Sequence, residues 1–320
     1  MSSPSTGTVL DAATPSPASI DAILGSRYWY HRMELTDGRS TGGKYGDNLV
    51  PVAHLMRPLS LDGMKCLDIG AMDGKMSFLM ERLGGNVLAV DGVGKDTVPA
   101  LARAYGSSVR YRSGVILEKL PDLLADEGYF DFVLCSGVAY HVYSPFDLIA
   151  NVRALLKSSG LAIFETAALP DDARMTMALN RGDYYNEYTT LWIPTTACFR
   201  YMLRFLSMRV IGECQLRMND YHVVRHAWLV QADQPSVLAG EVEDPWLATL
   251  LGGGAPGWSH AYLEPQLDLA ALAARPRSGI SAPVQSETPV FRLEQPEAFE
   301  EERALLATGT PAWRQLYPRS

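Results

Sequence analysis

Cysteine is scarce: four residues in 320, Cys66, Cys135, Cys198 and Cys214, widely spaced and with no CxxC pair. That spacing speaks against a zinc cluster or a disulfide framework and for a reducing, cytoplasmic setting. No apolar run approaches the roughly 18–20 residues needed to cross a bilayer, so no membrane partner is expected. The first twenty residues are rich in Ser, Pro, Thr and Ala. They lack the basic start and apolar stretch of a signal peptide. Basic side chains are outnumbered, 28 Lys and Arg against 36 Asp and Glu, for a formal charge of −8. Wholesale wrapping of a phosphate backbone is disfavoured by that balance, although a local basic patch is compatible with it.

What is present is globular. Apolar residues make up 47% of the chain and charged residues 20%, enough for a packed core in one large domain with extensions. Residues 1–19 read as a disordered leader and 20–63 as an N-terminal cap. Residues 64–232 form the main domain, and 233–320 a C-terminal extension serving as a lid or dimerisation arm. In the main domain, apolar strands alternate with amphipathic helices. Strands are expected at 65–69, 86–90, 109–112, 130–135 and 161–165, with two more near 208–215 and 223–231. Ser144 as N-cap and Pro145 at the first helical position open a helix whose core face is Phe146, Ile149, Val152, Leu155 and Leu156. Further helices are expected over 195–206 and 296–306. Continuous apolar strands joined by helices imply an α/β fold with a mostly parallel, doubly wound, Rossmann-like sheet.

The most informative stretch is Leu67-Asp68-Ile69-Gly70-Ala71-Met72-Asp73-Gly74, followed by Asp91-Gly92 at the end of the next strand. A ligand lying over the carboxyl end of a parallel sheet needs close backbone approach at the first strand-to-helix turn, which Gly70 and Gly74 permit. An acid about twenty residues later suits a ribose diol. The dinucleotide pattern GxGxxG is missing, because Met72 stands at its second glycine, and a pyrophosphate is disfavoured. Asp68 would repel phosphate but suits an ammonium group. S-adenosylmethionine matches, with a ribose, an adenine, a cationic amino-acid end and no phosphate.

On these residues the chain resembles the seven-stranded class I S-adenosylmethionine-dependent methyltransferases. Within that class it is similar to the tRNA-carboxymethyltransferase (CmoB-like) subgroup. The resemblance rests on Trp29-Tyr30-His31, Leu67 to Gly74, Gly114 to Pro121, Ser136 to His141 with Ser144-Pro145, Glu165-Thr166 and Leu191 to Pro194. It implies a strand order of 3-2-1-4-5-7-6 and S-adenosyl-L-homocysteine as product. It places Asp68, Gly70, Ala71 and Gly74 at the methionine end, Asp91 and Gly92 at the ribose, and Val115 and Ile116 at the adenine. Ser136, Gly137 and Tyr140 would form the mouth beside the sulfonium. The RNA-modifying member carries Arg-Arg where this chain has Val142-Tyr143, so plain methyl transfer is the expectation here.

A phenolic acceptor, with an ordinary pKa near 10, needs a base at neutral pH. His141 is the first candidate for that base and His31 the second. Tyr28, Trp29, Tyr30, Tyr45, Tyr143, Tyr184, Tyr188 and Trp192 are the candidate acceptor-binding residues, since aromatic walls stack on planar acceptors. The expected reaction is O-methylation of a small phenolic or amino-acid-derived metabolite in natural-product biosynthesis. The alternatives are a tRNA wobble-uridine modifier and a non-catalytic cofactor-binding protein. No metal is expected, as Asp171-Asp172 lack a third ligand. Arg200, Arg204, Arg209, Arg217 and Arg225 are expected to be solvated or ion-paired rather than to bind nucleic acid. The cap and tail are compatible with a homodimer.

Overall fold

A computed structural model describes residues 17–35, 37–185, 187, 189–217, 222–232, 290–293 and 300–307. Five parallel strands build the centre of the sheet: β1 (Lys65–Ile69), β2 (Asn86–Asp91), β3 (Arg110–Ser113), β4 (Phe130–Ser136) and β5 (Leu156–Ala168). A short antiparallel pair, β6 (Met177–Leu179) and β7 (Trp192–Pro194), stands apart from it. The chain then returns to the main sheet as β8 (Met208–Arg217) and β9 (Val224–Ala232), with β9 antiparallel to both β5 and β8. The order from one edge is β3-β2-β1-β4-β5-β9-β8. With β8 and β9 counted as the sixth and seventh strands, this is the 3-2-1-4-5-7-6 order that the family resemblance implied. An eighth strand, β10 (Val290–Leu293), adds in parallel beside β8.

The central strands read as apolar runs because both faces are covered. On one face, Cys66, Val87, Phe132 and Ile163 pack beneath α2 (Val50–Met56), α3 (Lys75–Arg82) and α4 (Thr97–Tyr105). On the other, Leu67, Leu88, Val133 and Phe164 pack against α6 (Pro145–Leu155) and α7 (Thr196–Phe205). The helix starts follow local chemistry. The Ser144 side chain accepts the Asp147 N–H of α6, and the Thr195 side chain accepts the Cys198 N–H of α7, which satisfies helix-end donors that otherwise lack partners. A short α5 (Asp122–Glu127) precedes β4.

The cap opens with α1 (Pro17–Gly25), which takes in three residues assigned above to the leader. The chain then runs as irregular backbone, pinned by the bridges His31–Tyr45 and Glu34–Ser40, into α2. The last described element, α8 (Glu300–Ala307), packs on α2. Most of the expected C-terminal extension, including 233–289, lies outside the described residues.

Candidate cofactor and acceptor site

The site is built on the turn after β1. Gly70 and Gly74 adopt φ of +76° and +82°, a region costly for residues with a Cβ. A Cβ on Gly70 would lie 2.4 Å from Val138 Cγ2, and one on Gly74 2.9 Å from Val98 Cγ2. Gly70 and Ala71 face the cavity, whereas Gly74 sits behind the turn at the start of α3. Met72 also takes a left-handed φ, +51°. That conformation aims its N–H at Asp91 Oδ2, 2.8 Å away, while Val93 N–H donates to Oδ1 at 2.7 Å. An ionised carboxylate has about four acceptor sites, so Asp91 keeps capacity for a diol. Beside it lies an apolar ledge: Val93 and Ile116 are 64% and 49% exposed, and Ile116 Cγ2 would be 3.4 Å from a Cβ on Gly92. Val115 is buried under this ledge and donates its N–H to the Asp91 carbonyl.

Asp68 lines the inner cavity and accepts the Ser77 hydroxyl at 2.5 Å. Burial, reinforced by the Asp91 charge and opposed by the Ser77 bond, pushes its carboxyl up to about 7. The opposite wall comes from the turn after β4, with Ser136, Gly137, Tyr140 and His141. The cavity holds about 100 Å³.

Behind Tyr140 is a group that sequence reasoning missed. Arg225 is wholly buried, and its Nε and Nη2 donate to Glu165 Oε1 and Oε2 at 2.6 and 2.7 Å. Its Nη1 donates to the Tyr140 hydroxyl at 3.0 Å, and Ser136 Oγ donates to Glu165 Oε2. Two planar bidentate partners fix each other's orientation. Arg200 forms a similar fork on Glu213, and Arg209 donates to Gln231. The five arginines considered for a basic surface are thus partly absorbed into internal pairs. Glu165 and Arg225 lie sixty residues apart, and only the β5–β9 pairing, where Glu165 opposes Ala227, brings them together.

The two histidines differ. His141 Nδ1 lies 3.0 Å from the Thr189 carbonyl, so that nitrogen carries the proton. Nε2 is left as the basic atom, 3.9 Å from Glu187 Oε1. His31 is buried in the cap with Nδ1 lacking a hydrogen-bond partner among the described residues. Burial pushes its pKa down to about 4, against the opposing pull of Asp73. It is a neutral, weakly basic ring.

Of the aromatic candidates, Tyr30 lines the inner cavity and Tyr45 stacks on it at 4.5 Å. Burial pushes the Tyr30 phenol up to about 12. Five other candidates lie outside the lining of that cavity. Trp29 is core rather than pocket wall: it is 4% exposed and donates Nε1–H to the Leu24 carbonyl, since packing buries a large ring with one polar handle. Tyr28 lies on the cap surface, 76% exposed beneath Lys95, and Tyr143 is 88% exposed. Tyr184 packs behind Tyr140, and Trp192 Nε1 donates to the Tyr143 carbonyl, so both support the wall without lining the cavity. Tyr188 lies outside the described residues. Asp171 is held by the Ala173 and Arg174 N–H groups, and Asp172 accepts from Thr196 and Arg200.

Sheet order, glycine turn and second-strand acid together match the Rossmann-like methyltransferase fold. Residues 46–201 match the family model described as "Methyltransferase domain". The chain is 31% identical over 126 residues to "Ubiquinone biosynthesis O-methyltransferase" of Actinobacillus pleuropneumoniae serotype 7 (strain AP76), covering 35% of this chain and 54% of that protein. It is 30% identical over 151 residues to the protein of the same name from Xanthomonas campestris pv. campestris (strain B100), covering 43% and 62%. The chain therefore spans roughly half to three-fifths of these relatives. Among solved structures, the N-terminal domain of EvdMO1 with SAH bound aligns with a TM-score of 0.52 at 17% identity, covering 68% of this chain and 98% of that one. This last likeness concerns the fold.

Proposed function

We propose that the chain binds S-adenosylmethionine across the carboxyl edges of β1, β2 and β4 and methylates the hydroxyl of a small phenolic, tyrosine-like metabolite. The residues present fit the cofactor. Asp91 has acceptor sites to spare for the ribose, Val93 and Ile116 offer an uncovered apolar ledge for the adenine, and Asp68 faces the space for an ammonium. When bound, the cofactor supplies an electrophilic methyl group on a sulfonium.

The acceptor side follows from the chain's own groups. His141 is the observation that carries the reading, because it lines the cavity and the Thr189 carbonyl fixes its tautomer, leaving Nε2 as the basic atom. A phenol seated against Tyr30 and Tyr140 gives its proton to that nitrogen as its oxygen accepts the methyl group. Glu187 then stabilises the imidazolium. Much of the rate comes from orientation, which the aromatic walls supply. The O-methyltransferase names of the relatives support oxygen as the acceptor atom.

The test is a mass-shift screen with isotopically labelled cofactor, offering tyrosine, 4-hydroxybenzoate, 4-hydroxyphenylpyruvate and unmodified tRNA. A methylated phenol with untouched tRNA is expected. Methylation of tRNA alone would overturn the acceptor reading. Asp91→Ala should weaken S-adenosylhomocysteine binding about tenfold to a hundredfold, and unchanged affinity by calorimetry would overturn the ribose assignment.

A further inference from the structure

A second, larger cavity of about 450 Å³ lies between the cap, the start of α3 and α8. Six charged side chains line it: Arg32, Glu34, Lys44, Asp47, Lys75 and Arg303. The chain as a whole is acidic, yet this wall carries four cations and two carboxylates. The carboxylates are already engaged, Glu34 with Arg32 at 2.9 Å and Asp47 with Arg303 at 3.2 Å. Lys44 and Lys75 have no carboxylate within ion-pair distance among the described residues. Lys75 is 7% exposed, and it spends one of its three donors on the Arg32 carbonyl at 2.8 Å. Gly46 passes so close that a Cβ there would come within 3.2 Å of Lys75 Nζ. Burial depresses the Lys75 ammonium to about 8 despite the distant pull of Asp47 and Glu34. Buried charges are ordinarily paired.

The cavity adjoins the reaction site. Asn48 borders both cavities, and its Oδ1 is buried without a partner among the described residues. The stacked pair Tyr30–Tyr45 places one ring in each. Its volume falls within the roughly 300–1,000 Å³ typical of small-molecule sites. We infer that the outer cavity seats an oxyanion, a carboxylate or phosphate, at the far end of the acceptor, gripped by Lys44 and Lys75 while the phenolic end reaches His141. The acceptor is thus an anionic phenol rather than a neutral one. This inference rests on the proposed function and adds the acceptor's charge to it.

Calorimetry on the full chain saturated with S-adenosylhomocysteine tests the inference. Three probes sharing one phenol are compared: 3-(4-hydroxyphenyl)propionate, 2-(4-hydroxyphenyl)ethyl phosphate and neutral 4-ethylphenol. At least one anionic probe should bind about tenfold more tightly than 4-ethylphenol, and the preferred one identifies the anion. Lys44→Gln, at an exposed position, should erase most of that preference while leaving affinity for 4-ethylphenol and S-adenosylhomocysteine unchanged. Lys75→Met should do the same, with circular dichroism confirming that the cap is intact. Equal binding of all three probes, or no binding of either anion while S-adenosylhomocysteine still binds, would overturn the anion site and leave the cofactor reading standing. Loss of S-adenosylhomocysteine binding by the wild-type chain would instead overturn the proposed function itself.

Discussion

Two histidines close to one cavity have opposite chemical characters, and hydrogen bonding and burial explain why. His141 is half-exposed, oriented by a carbonyl and backed by a carboxylate, whereas His31 is buried and pushed to a low pKa. His141→Ala should lower kcat by about 10² to 10⁴ with S-adenosylhomocysteine affinity unchanged, and equal losses in both would mark it as structural. His31→Gln should alter KM more than kcat, because a neutral ring with a free Nδ1 positions rather than deprotonates. Asp68 makes a pH-dependent prediction. Its folded pKa is raised from 3.8 to about 7, so between those values the native state holds more protons than the unfolded one. Its contribution to stability is greatest at low pH and falls as pH rises towards 7, with no further change above. Urea unfolding at pH 5 and 7.5 should show Asp68→Asn losing that decline. A cationic ligand end favours the ionised form, so wild-type affinity for S-adenosylhomocysteine should rise between pH 6 and 8 and that of Asp68→Asn should stay flat.

At the scale of elements, one carboxylate ties the cap to the glycine turn after β1. Asp73 is completely buried and accepts the backbone N–H groups of Tyr30 and His31 at 2.5 and 2.9 Å, with Lys95 Nζ at 3.3 Å. Asp73→Ala leaves those donors without a charged acceptor and should cost about 2–4 kcal/mol in urea unfolding. A loss below about 1 kcal/mol would show that the cap docks by other contacts. The central strands were legible because strands buried on both faces must be apolar throughout, and the helix at Pro145 because its cap and first-turn proline are local signals. The β6–β7 pair was not, since three-residue strands such as Met177–Leu179 carry no period to detect. Aromatic clustering misled at Trp29, where core packing and a pocket wall give the same sequence signal. Arg225 was visible as a residue but not as a buried one, because its partner Glu165 is supplied by pairing between distant strands.

Across the whole molecule, helix α8 lines one side of the outer cavity. Helix α8 presents Glu302, 4% exposed, to α2, where it accepts from His54 Nδ1 at 2.9 Å and lies 3.5 Å from Arg57 Nη1. The adjacent Glu301 also pairs with Arg57. The same helix supplies Arg303 and Leu306 to the outer cavity, so the hold on α2 fixes the cavity's outer wall. No described helix is long and apolar enough to cross a membrane, and the apolar face of α8 is met by the cap, where Leu306 joins the core. A double-mutant cycle on His54→Ala and Glu302→Ala should return a coupling of about 1–3 kcal/mol, because the carboxylate is desolvated and in direct contact with its partner. A coupling near zero would mean that α8 is held by apolar contact alone. If the helix acts as a wall, Glu302→Ala should also raise the acceptor KM while affinity for S-adenosylhomocysteine holds, since the Asp91 ledge and the glycine turn lie on other elements. Parallel losses of acceptor and cofactor affinity would instead show that α8 supports the whole domain.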